Sequence, residues 1–247
     1  MIHYYEKIET FAQLVRNSTK ITAFTGAGIS TDSGIPDLAR MSLVLGEEKG
    51  FNGGIFRMLN STFAKKNPEL FYRLYRKTFF HPDAEPNACH LFLADLEKQE
   101  KLLGIATMNI DCLHQKAGNK KVHEYWGNMR LNHCSHCNKS FDWDIAQENN
   151  IPMCDVCGHL ILPDFVLRNL GTYPDNIRNG SKIISEADLL IIAGTKNSWR
   201  SFPESIPKVI VNLELPQIND SNSIYIQENI AKVFADVKKV LHHISTV

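Results

Sequence analysis

The sequence predicts an α/β fold in which a parallel sheet forms the main unit and a smaller lobe is inserted into it. Short runs of β-branched and aromatic residues alternate with helix-length amphipathic segments along most of the chain. This alternation is typical of strand–helix–strand units, which build parallel sheets. Two segments, 41–82 and 129–170, interrupt the alternation, and the second contains four paired cysteines.

The elements of the main unit follow from hydrophobic periodicity. A helix is predicted over about 5–17, because apolar residues recur there at helical spacing: Ile8, Phe11, Leu14 and Val15. The first strand is predicted at 20–25, and further strands where short apolar runs return, at 103–107, 122–125, 188–193, 208–213 and 223–226. Helices are predicted between them, at 87–100, 181–187 and 228–243.

The two interrupting segments predict the smaller lobe. Segment 41–82 has no strand pattern, and its apolar residues are spaced as in short helices. We therefore assign 41–82 to a helical module and 129–170 to a zinc-binding module. The main domain is expected to comprise the remaining ranges, 1–40, 83–128 and 171–247.

The composition is that of an ordinary globular protein. Of 247 residues, 43% are hydrophobic and 22% charged, and 27 basic residues balance 27 acidic ones. This excludes a disordered or collagen-like chain, and the zero net charge argues against a nucleic-acid partner, with a local basic patch left open. No run approaches the ~18 apolar residues of a membrane span, and the N-terminus lacks a signal-peptide pattern. We therefore expect a cytoplasmic protein with no membrane partner.

Two Cys-x-x-Cys pairs, separated by sixteen residues, predict a structural zinc site at Cys134, Cys137, Cys154 and Cys157. In a reducing compartment such pairs more often bind metal than form disulfides. Four thiolates complete a tetrahedral shell and leave no position for water, which disfavours a catalytic zinc. The alternative is four free thiols, and the three flanking histidines are interpreted as solvated neighbours.

A glycine turn follows the first strand. Gly26-Ala27-Gly28 precedes a predicted helix, and glycines at such a place let backbone N–H groups approach a pyrophosphate. The next glycine, Gly34, comes too late for the usual dinucleotide fingerprint. The turn alone therefore leaves phosphate binding and a plain turn as alternatives.

Longer motifs carry a family resemblance over nearly the whole chain. The first is Gly26-Ala-Gly-Ile-Ser-Thr-Asp-Ser-Gly-Ile-Pro-Asp37, and the second is Thr107-Met-Asn-Ile-Asp-Cys-Leu-His-Gln-Lys-Ala-Gly118. Gly127, the four cysteines, Gly194-Thr195 and Val211-Asn-Leu-Glu214 then follow in order. This series resembles the sirtuins, the NAD-dependent protein deacylases and ADP-ribosyltransferases.

The resemblance implies a Rossmann-like domain, a small lobe with a zinc module and a helical module, and NAD in the cleft between them. It implies that Asn109 and Asp111 are catalytic residues that line the nicotinamide-ribose pocket. It also implies a set of residues that bind NAD: Gly26, Ala27, Gly28, Asp37, Arg40, Asn109, Asp111, Gly194, Thr195, Asn212 and Glu214. Gly194 has the alternative interpretation of a simple strand end.

The main departure from the family lies at the catalytic base. Sirtuin deacylases carry a general-base histidine before the glycine that matches Gly127, and this chain has Trp126 there. Indole is a hydrogen-bond donor only, so it cannot act as a base. His123 lies three residues earlier on a predicted strand, where an odd offset directs its side chain to the opposite face.

Other departures lie in the same motifs. Met108 replaces the family's glutamine, and Arg168 lies in the substrate loop, where it disfavours an apolar acyl-lysine tunnel. Lys196 replaces a serine and is predicted to meet a phosphate as a point charge. Leu38 replaces an aromatic residue, and Arg40 lies one residue out of the family's register.

These losses fall on the deacylation apparatus, whereas the NAD site is largely kept. The favoured hypothesis is therefore an NAD-dependent protein-modifying transferase that transfers ADP-ribose or cleaves NAD in an atypical way. The alternatives are an NAD-dependent protein-lysine deacylase and a non-catalytic NAD or ADP-ribose sensor. For either enzyme the partner is a protein substrate of unknown identity. A fourth interpretation, an engineered Trp126, is disfavoured by the other departures.

Overall fold

The computed structural model describes residues 2–147, 150–196, 201–214 and 221–243. Its strands are β1 (Ile21–Thr25), β2 (Leu102–Thr107), β3 (Val122–Glu124), β4 (Asn132–Cys134), β5 (Ser140–Phe141), β6 (Ile161–Pro163), β7 (Leu189–Ala193), β8 (Lys208–Asn212) and β9 (Ser223–Gln227). Its α-helices are α1 (Ile2–Asn17), α2 (Leu38–Gly46), α3 (Ile55–Met58), α4 (Ser61–Lys66), α5 (Pro68–Thr78), α6 (Ala88–Lys98), α7 (Leu113–Ala117), α8 (Asp164–Leu167), α9 (Pro174–Ser185) and α10 (Ile230–His243). Two 3-10 helices lie at Ala27–Ser33 and Trp143–Ala146.

Six strands form a parallel sheet in the order β3-β2-β1-β7-β8-β9. The chain leaves β1 toward one edge through β2 and β3, and later returns to build the other edge from β7. The carboxyl ends of β1 and β7 therefore flank a topological switch point, where parallel α/β sheets bind ligands. This Rossmann-like sheet confirms the predicted fold class, and each of its six strands lies at its predicted place.

Both faces of the sheet are covered, which explains why its central strands read as continuous apolar runs. Side chains alternate along β1, so Ile21 and Ala23 join the core under α1, α6 and α10. Phe24 points to the opposite face and packs with Ile192 and Ile210. All five residues of β1 and of β7 are buried, so the site is built at the ends of two fully buried strands.

The segments that interrupt the sheet share a second core. An antiparallel sheet, β5-β4-β6, carries the cysteine pairs. Phe71 and Tyr75 of α5 pack in one cluster with Leu162 of β6 and Phe165 of α8. The boundaries given for the lobe stay predictions, and helix α2 crosses the one expected between 40 and 41.

Local differences from the predicted elements have identifiable causes. The helix expected at 181–187 begins earlier, at Pro174, because proline is favoured at the first helical position although the following turns are polar. The small sheet and the short helix α7 were not predicted, because elements of two to five residues carry too few side chains to define a period. Within the described residues, none of the helices combines the length and apolar character that crossing a bilayer requires.

Candidate nucleotide site and zinc module

Two glycines, one from each half of the sheet, meet at the switch point. A Cβ on Gly28 would lie 2.8 Å from the Cα of Gly194, and a Cβ on Gly194 would lie 2.4 Å from the backbone N of Ile29. Gly194 has φ +65°, a left-handed conformation that favours glycine. The backbones that follow β1 and β7 therefore touch directly, which makes a backbone surface at the place where a nucleotide would lie.

The amides of this turn are already engaged inside the protein. Gly26 N donates to Ala193 O at 3.1 Å, and Gly28 N donates to Gly194 O at 2.8 Å. Gly26 and Gly28 therefore do not present the free amide donors that the sequence led us to expect. Glycine is needed at these positions for a different reason, the close packing against the backbone at Gly194 and Thr195.

A buried polar group, here called the Asp111 cluster, consists of Ser30, Asn109 and Asp111. Ser30 Oγ donates to Asp111 Oδ2 at 2.6 Å, and Asn109 Nδ2 donates to the same oxygen at 3.0 Å. Leu113 N donates to Asp111 Oδ1 at 3.0 Å, so both carboxylate oxygens are held. Asn109 and Asp111 are each 7% exposed. The structure thus brings the two predicted catalytic residues together, at the carboxyl end of β2.

A second buried carboxylate, Glu124, borders this cluster from the end of β3. It accepts from Gln115 Nε2 at 2.8 Å and from Asn128 Nδ2 at 2.6 Å. Burial raises the pKa of Glu124 against the effect of these hydrogen bonds, and the Asp111 carboxylate raises it further. Glu124 was not among the predicted site residues. Its position at the end of a short strand was the only signal in the sequence.

Trp126 lies in the turn that follows β3, and its side chain is half-buried. Gly127 closes this turn with φ +79°, and a Cβ there would lie 2.6 Å from Cε2 of Tyr173. Because Glu124 faces the Asp111 cluster, His123 on the same strand points to the other face. Burial lowers the pKa of His123. The turn therefore holds an indole, and no imidazole, at the position that the resemblance assigns to the family's base.

Asp37 and Arg40 lie at the start of helix α2. Asp37 caps this helix, with Oδ1 accepting from the backbone N of Arg40 at 2.9 Å. The side chains of Arg40 and Leu38 are exposed. Among the described residues, neither Asp37 nor Arg40 is hydrogen-bonded to the Asp111 cluster. Asp37 thus has a structural role as a cap, and any role of these two residues in cofactor binding stays a prediction.

The last four predicted NAD-binding residues, Gly194, Thr195, Asn212 and Glu214, lie at the carboxyl ends of β7 and β8 or just after them. Asn212 Nδ2 donates to Thr195 O at 3.0 Å, which joins the two strand ends. Lys196 Nζ lies 3.3 Å from Glu214 Oε2, and both side chains are about four-fifths exposed, at 78% and 80%. Lys196 is thus paired with a carboxylate. Such exposed pairs contribute only ~0–1 kcal/mol, and the predicted contact of Lys196 with a phosphate stays a prediction.

Arg168 packs against its own loop. Its guanidinium carbon lies 4.0 Å from the centre of the Tyr173 ring, and Nη2 donates to Thr172 O at 2.8 Å. The Tyr173 hydroxyl donates to Asp164, whose Oδ2 lies 3.8 Å from Arg168 Nε. Tyr173 also covers Gly127, so this stack borders the turn that carries Trp126.

The four paired cysteines converge in the small lobe. Their sulfur atoms lie within 4.8 Å of one another, with 3.4 Å between Cys134 and Cys157 and 3.6 Å between Cys137 and Cys154. A tetrahedron with Zn–S bonds of ~2.3 Å has edges of roughly 3.8 Å, so the four thiolates fit a structural zinc site. Two of the flanking histidines, His136 and His159, stack on each other outside the cluster with ring centres 4.2 Å apart.

The fold and these two centres define a class: a Rossmann-type dinucleotide-binding protein with a structural zinc module. A family model described as the Sir2 family matches residues 26–200. The chain is 39% identical over 239 residues to an NAD-dependent protein deacetylase of Clostridium acetobutylicum, covering 96% of this chain and 97% of the relative. It is 33% identical to a protein of the same name from Clostridium perfringens, covering 94% and 98%. The chain belongs to the Sir2 family.

Solved structures agree with this assignment. A chain described as "The Structural basis of Sirtuin Substrate Affinity" superposes with a TM-score of 0.81 at 29% identity, covering 94% of this chain and 98% of that one. Another, described as "Sir2-p53 peptide-NAD+", gives a TM-score of 0.75 at 29% identity, covering 97% and 99%.

These findings bear on the predictions. The sirtuin resemblance is confirmed. Sirtuins use NAD, so the NAD prediction is confirmed at the level of the family, and the cysteine cluster confirms the zinc prediction. The preference for ADP-ribosyl transfer receives no support from the names of the relatives, which favour the deacylase alternative.

Proposed function

We propose that this chain is an NAD-dependent protein-lysine deacylase that binds NAD at the switch point between β1 and β7. The observation that carries the proposal is the 39% identity over 96% of the chain to an NAD-dependent protein deacetylase. The backbone contact of Gly28 with Gly194 supports it, because a dinucleotide needs a side-chain-free approach at that place.

The Asp111 cluster fits the ribose of such a ligand. When bound, NAD supplies a nicotinamide leaving group and an electrophilic ribose carbon. The buried Asp111 carboxylate holds negative charge near the place where the family scheme develops positive charge. Ser30 and Asn109 hold one carboxylate oxygen from two sides at 2.6 and 3.0 Å, so the carboxylate needs no reorganisation during the reaction.

Trp126 in place of a base leaves the first step of the reaction unaffected and slows the second. In the family scheme the acyl oxygen of the substrate first displaces nicotinamide, and a base then deprotonates a ribose hydroxyl. The first event requires positioning and charge stabilisation, which the Asp111 cluster provides. The second requires a proton acceptor, and loss of such a group costs ~10²–10⁴ in rate. We therefore propose a deacylase whose deacylation step is slow.

ADP-ribosyl transfer to a protein is the second candidate, and Trp126 is the observation that favours it. Such a transfer needs nicotinamide displacement but no base on the ribose. Arg168 supports the same candidate, because its guanidinium, stacked on Tyr173, lies in the loop that the resemblance assigns to the acyl-lysine substrate and disfavours an apolar tunnel there. In both cases the substrate is a protein side chain.

The test is one reaction with three readouts. The protein is incubated with NAD and an acetyl-lysine peptide, and free nicotinamide, deacetylated peptide and ADP-ribosylated protein are quantified by chromatography and mass spectrometry. Deacetylated peptide that depends on NAD supports the proposal. ADP-ribose on protein without deacetylation transfers support to the second candidate. NAD binding measured by calorimetry, without any nicotinamide release, would instead favour the non-catalytic NAD sensor. Asp175→Asn, a change of an exposed side chain (81%) in the first turn of α9, serves as the matched control for Asp111→Asn.

A further inference from the structure

Two buried histidines lie behind the Asp111 cluster and have no place in the proposed chemistry. His90 of α6 is 0% exposed and His114 of α7 is 1% exposed. Their ring centres are 5.0 Å apart with the planes tilted by 58°. His90 Nε2 and His114 Nδ1 are both buried without a hydrogen-bond partner among the described residues.

Their other ring nitrogens define which tautomers are compatible with the surroundings. His90 Nδ1 accepts from the backbone N of Asn87 at 3.3 Å, so its proton must be on Nε2. His114 Nε2 lies 2.9 Å from Thr25 Oγ1. Thr25 gives its single hydroxyl proton to Thr107 Oγ1 at 2.8 Å, so it must accept from His114 Nε2–H.

This assignment makes the two unpartnered atoms complementary. His90 Nε2 carries a proton, and His114 Nδ1 carries a lone pair, on adjacent rings. With the opposite tautomer of His114, both adjacent rings would carry a buried N–H group without an acceptor, which is costly. Burial lowers the pKa of His90 and of His114, which agrees with two neutral rings.

The series of hydrogen bonds ends at a predicted catalytic residue. Thr107 Oγ1, which accepts from Thr25, also accepts from the backbone N of Asn109 at 3.0 Å. Thr25 and Thr107 are 0% and 2% exposed, so water does not compete for these bonds. At the other end, Asn87 Nδ2 donates to Ile29 O at 2.7 Å, beside Ser30 of the Asp111 cluster.

We infer that His90 and His114 are positioning residues, whose ring contact joins two series of hydrogen bonds. In the first, His90 accepts from Asn87, and Asn87 donates to Ile29 O. In the second, His114 donates to Thr25, and Thr107 accepts from both Thr25 and the backbone N of Asn109. Together these contacts hold the Asn109 loop and the 3-10 helix that carries Ser30 in a fixed relation. Its effect on rate rests on the proposed function, because Asn109 acts there on the bound ribose. The tautomers and the Asn109 geometry do not depend on that function.

A matched pair of variants tests the inference without changing a catalytic residue. Thr25→Val removes the hydroxyl and keeps the branched shape, whereas Thr25→Ser keeps the hydroxyl. Thr25→Val should lower kcat for nicotinamide release roughly tenfold with KM for NAD nearly unchanged, because a buried hydrogen bond is lost away from the ligand. Thr25→Ser should stay within about twofold of the parent, since its hydroxyl rescues the series.

The second measurement is independent of activity. Nitrogen-15 NMR of the parent protein should find both histidines neutral and protonated on Nε2 at pH 7, and Thr25→Val should shift the backbone amide of Asn109 more than Thr25→Ser does. His114 protonated on Nδ1, or equal Asn109 shifts in the two variants, overturns the inference. If the parent releases no nicotinamide, the proposed function fails, while the tautomers and the amide shifts still decide this inference.

Discussion

Replacing Gly194 by alanine tests the switch point directly. Two penalties add at this position, because Gly194 has φ +65° and a Cβ would lie 2.4 Å from Ile29 N and 2.7 Å from the carbonyl carbon of Gly28. A left-handed conformation costs a non-glycine residue ~1–2 kcal/mol. Overpacking against backbone that cannot rotate away costs a further ~1–3 kcal/mol. The free energy of unfolding should therefore fall by about 2–5 kcal/mol.

Gly34→Ala is the control for this variant. Gly34 has φ +86°, and a Cβ there would meet nothing within 4 Å, so only the conformational penalty of ~1–2 kcal/mol applies. Gly28→Ala isolates the overpacking penalty, because its Cβ would lie 2.8 Å from Gly194 Cα and Gly28 has no positive φ. Urea denaturation of the three variants supplies the free energies, and calorimetry supplies the affinity for NAD. Equal destabilisation by Gly194→Ala and Gly34→Ala would refute the backbone contact as the reason for glycine.

Four further outcomes are expected. Cys157→Ser should lose the zinc and lower the stability of the small lobe; stoichiometric zinc by elemental analysis of the variant would contradict this. Asp111→Asn should lower nicotinamide release by ~10²–10³, and a rate equal to that of the parent would remove Asp111 from the chemistry. Trp126→His should raise the deacetylation rate without reaching that of the Clostridium acetobutylicum relative, because Met108 and Arg168 also differ from the family pattern. An unchanged deacetylation rate would show that Trp126 is not what slows deacylation. Burial lowers the pKa of His90 to about 4 from 6.5. As the pH falls below 6.5, the unfolded chain therefore binds a proton at His90 before the folded protein does. The free energy of unfolding should then fall by up to about 1.4 kcal/mol per pH unit toward pH 4, and His90→Asn should flatten this slope in urea titrations.

The sheet could be predicted because its strands are long enough to carry a pattern. β1 and β7 are five-residue runs rich in β-branched and apolar residues, each followed by a glycine, and their type and order follow from local sequence. The cysteine pairs were equally informative, because a zinc site depends on spacing and ligand type alone. The short strands of the zinc module were not predicted, because their geometry is set by the turns at the two Cys-x-x-Cys pairs and by packing, and not by a repeating pattern of apolar residues.

The motifs named residues of the candidate site but not their contacts, and the roles of these residues stay predictions. The structure bonds Asn109 to Asp111 directly and adds Ser30, which lies in the first motif but was not among the predicted site residues. The glycine amides were assigned to a phosphate, whereas the carbonyls of Ala193 and Gly194 accept them, because a strand that returns so much later in the chain leaves no local signal. Thr25 meets Thr107 through the parallel register of β1 and β2, and it meets His114 of α7 only in the folded chain. Single-sequence patterns encode neither contact.

The central claim is that the site displaces nicotinamide normally and deacylates slowly. A rapid-quench experiment with excess enzyme, NAD and an acetyl-lysine peptide measures both events in one turnover. We expect a burst of about one equivalent of nicotinamide per peptide-bound site. Deacetylated peptide should follow at a rate ~10²–10⁴ lower than a general base in place of Trp126 would allow. Nicotinamide and deacetylated peptide that form together at the same rate, or nicotinamide release that needs no peptide, would contradict it.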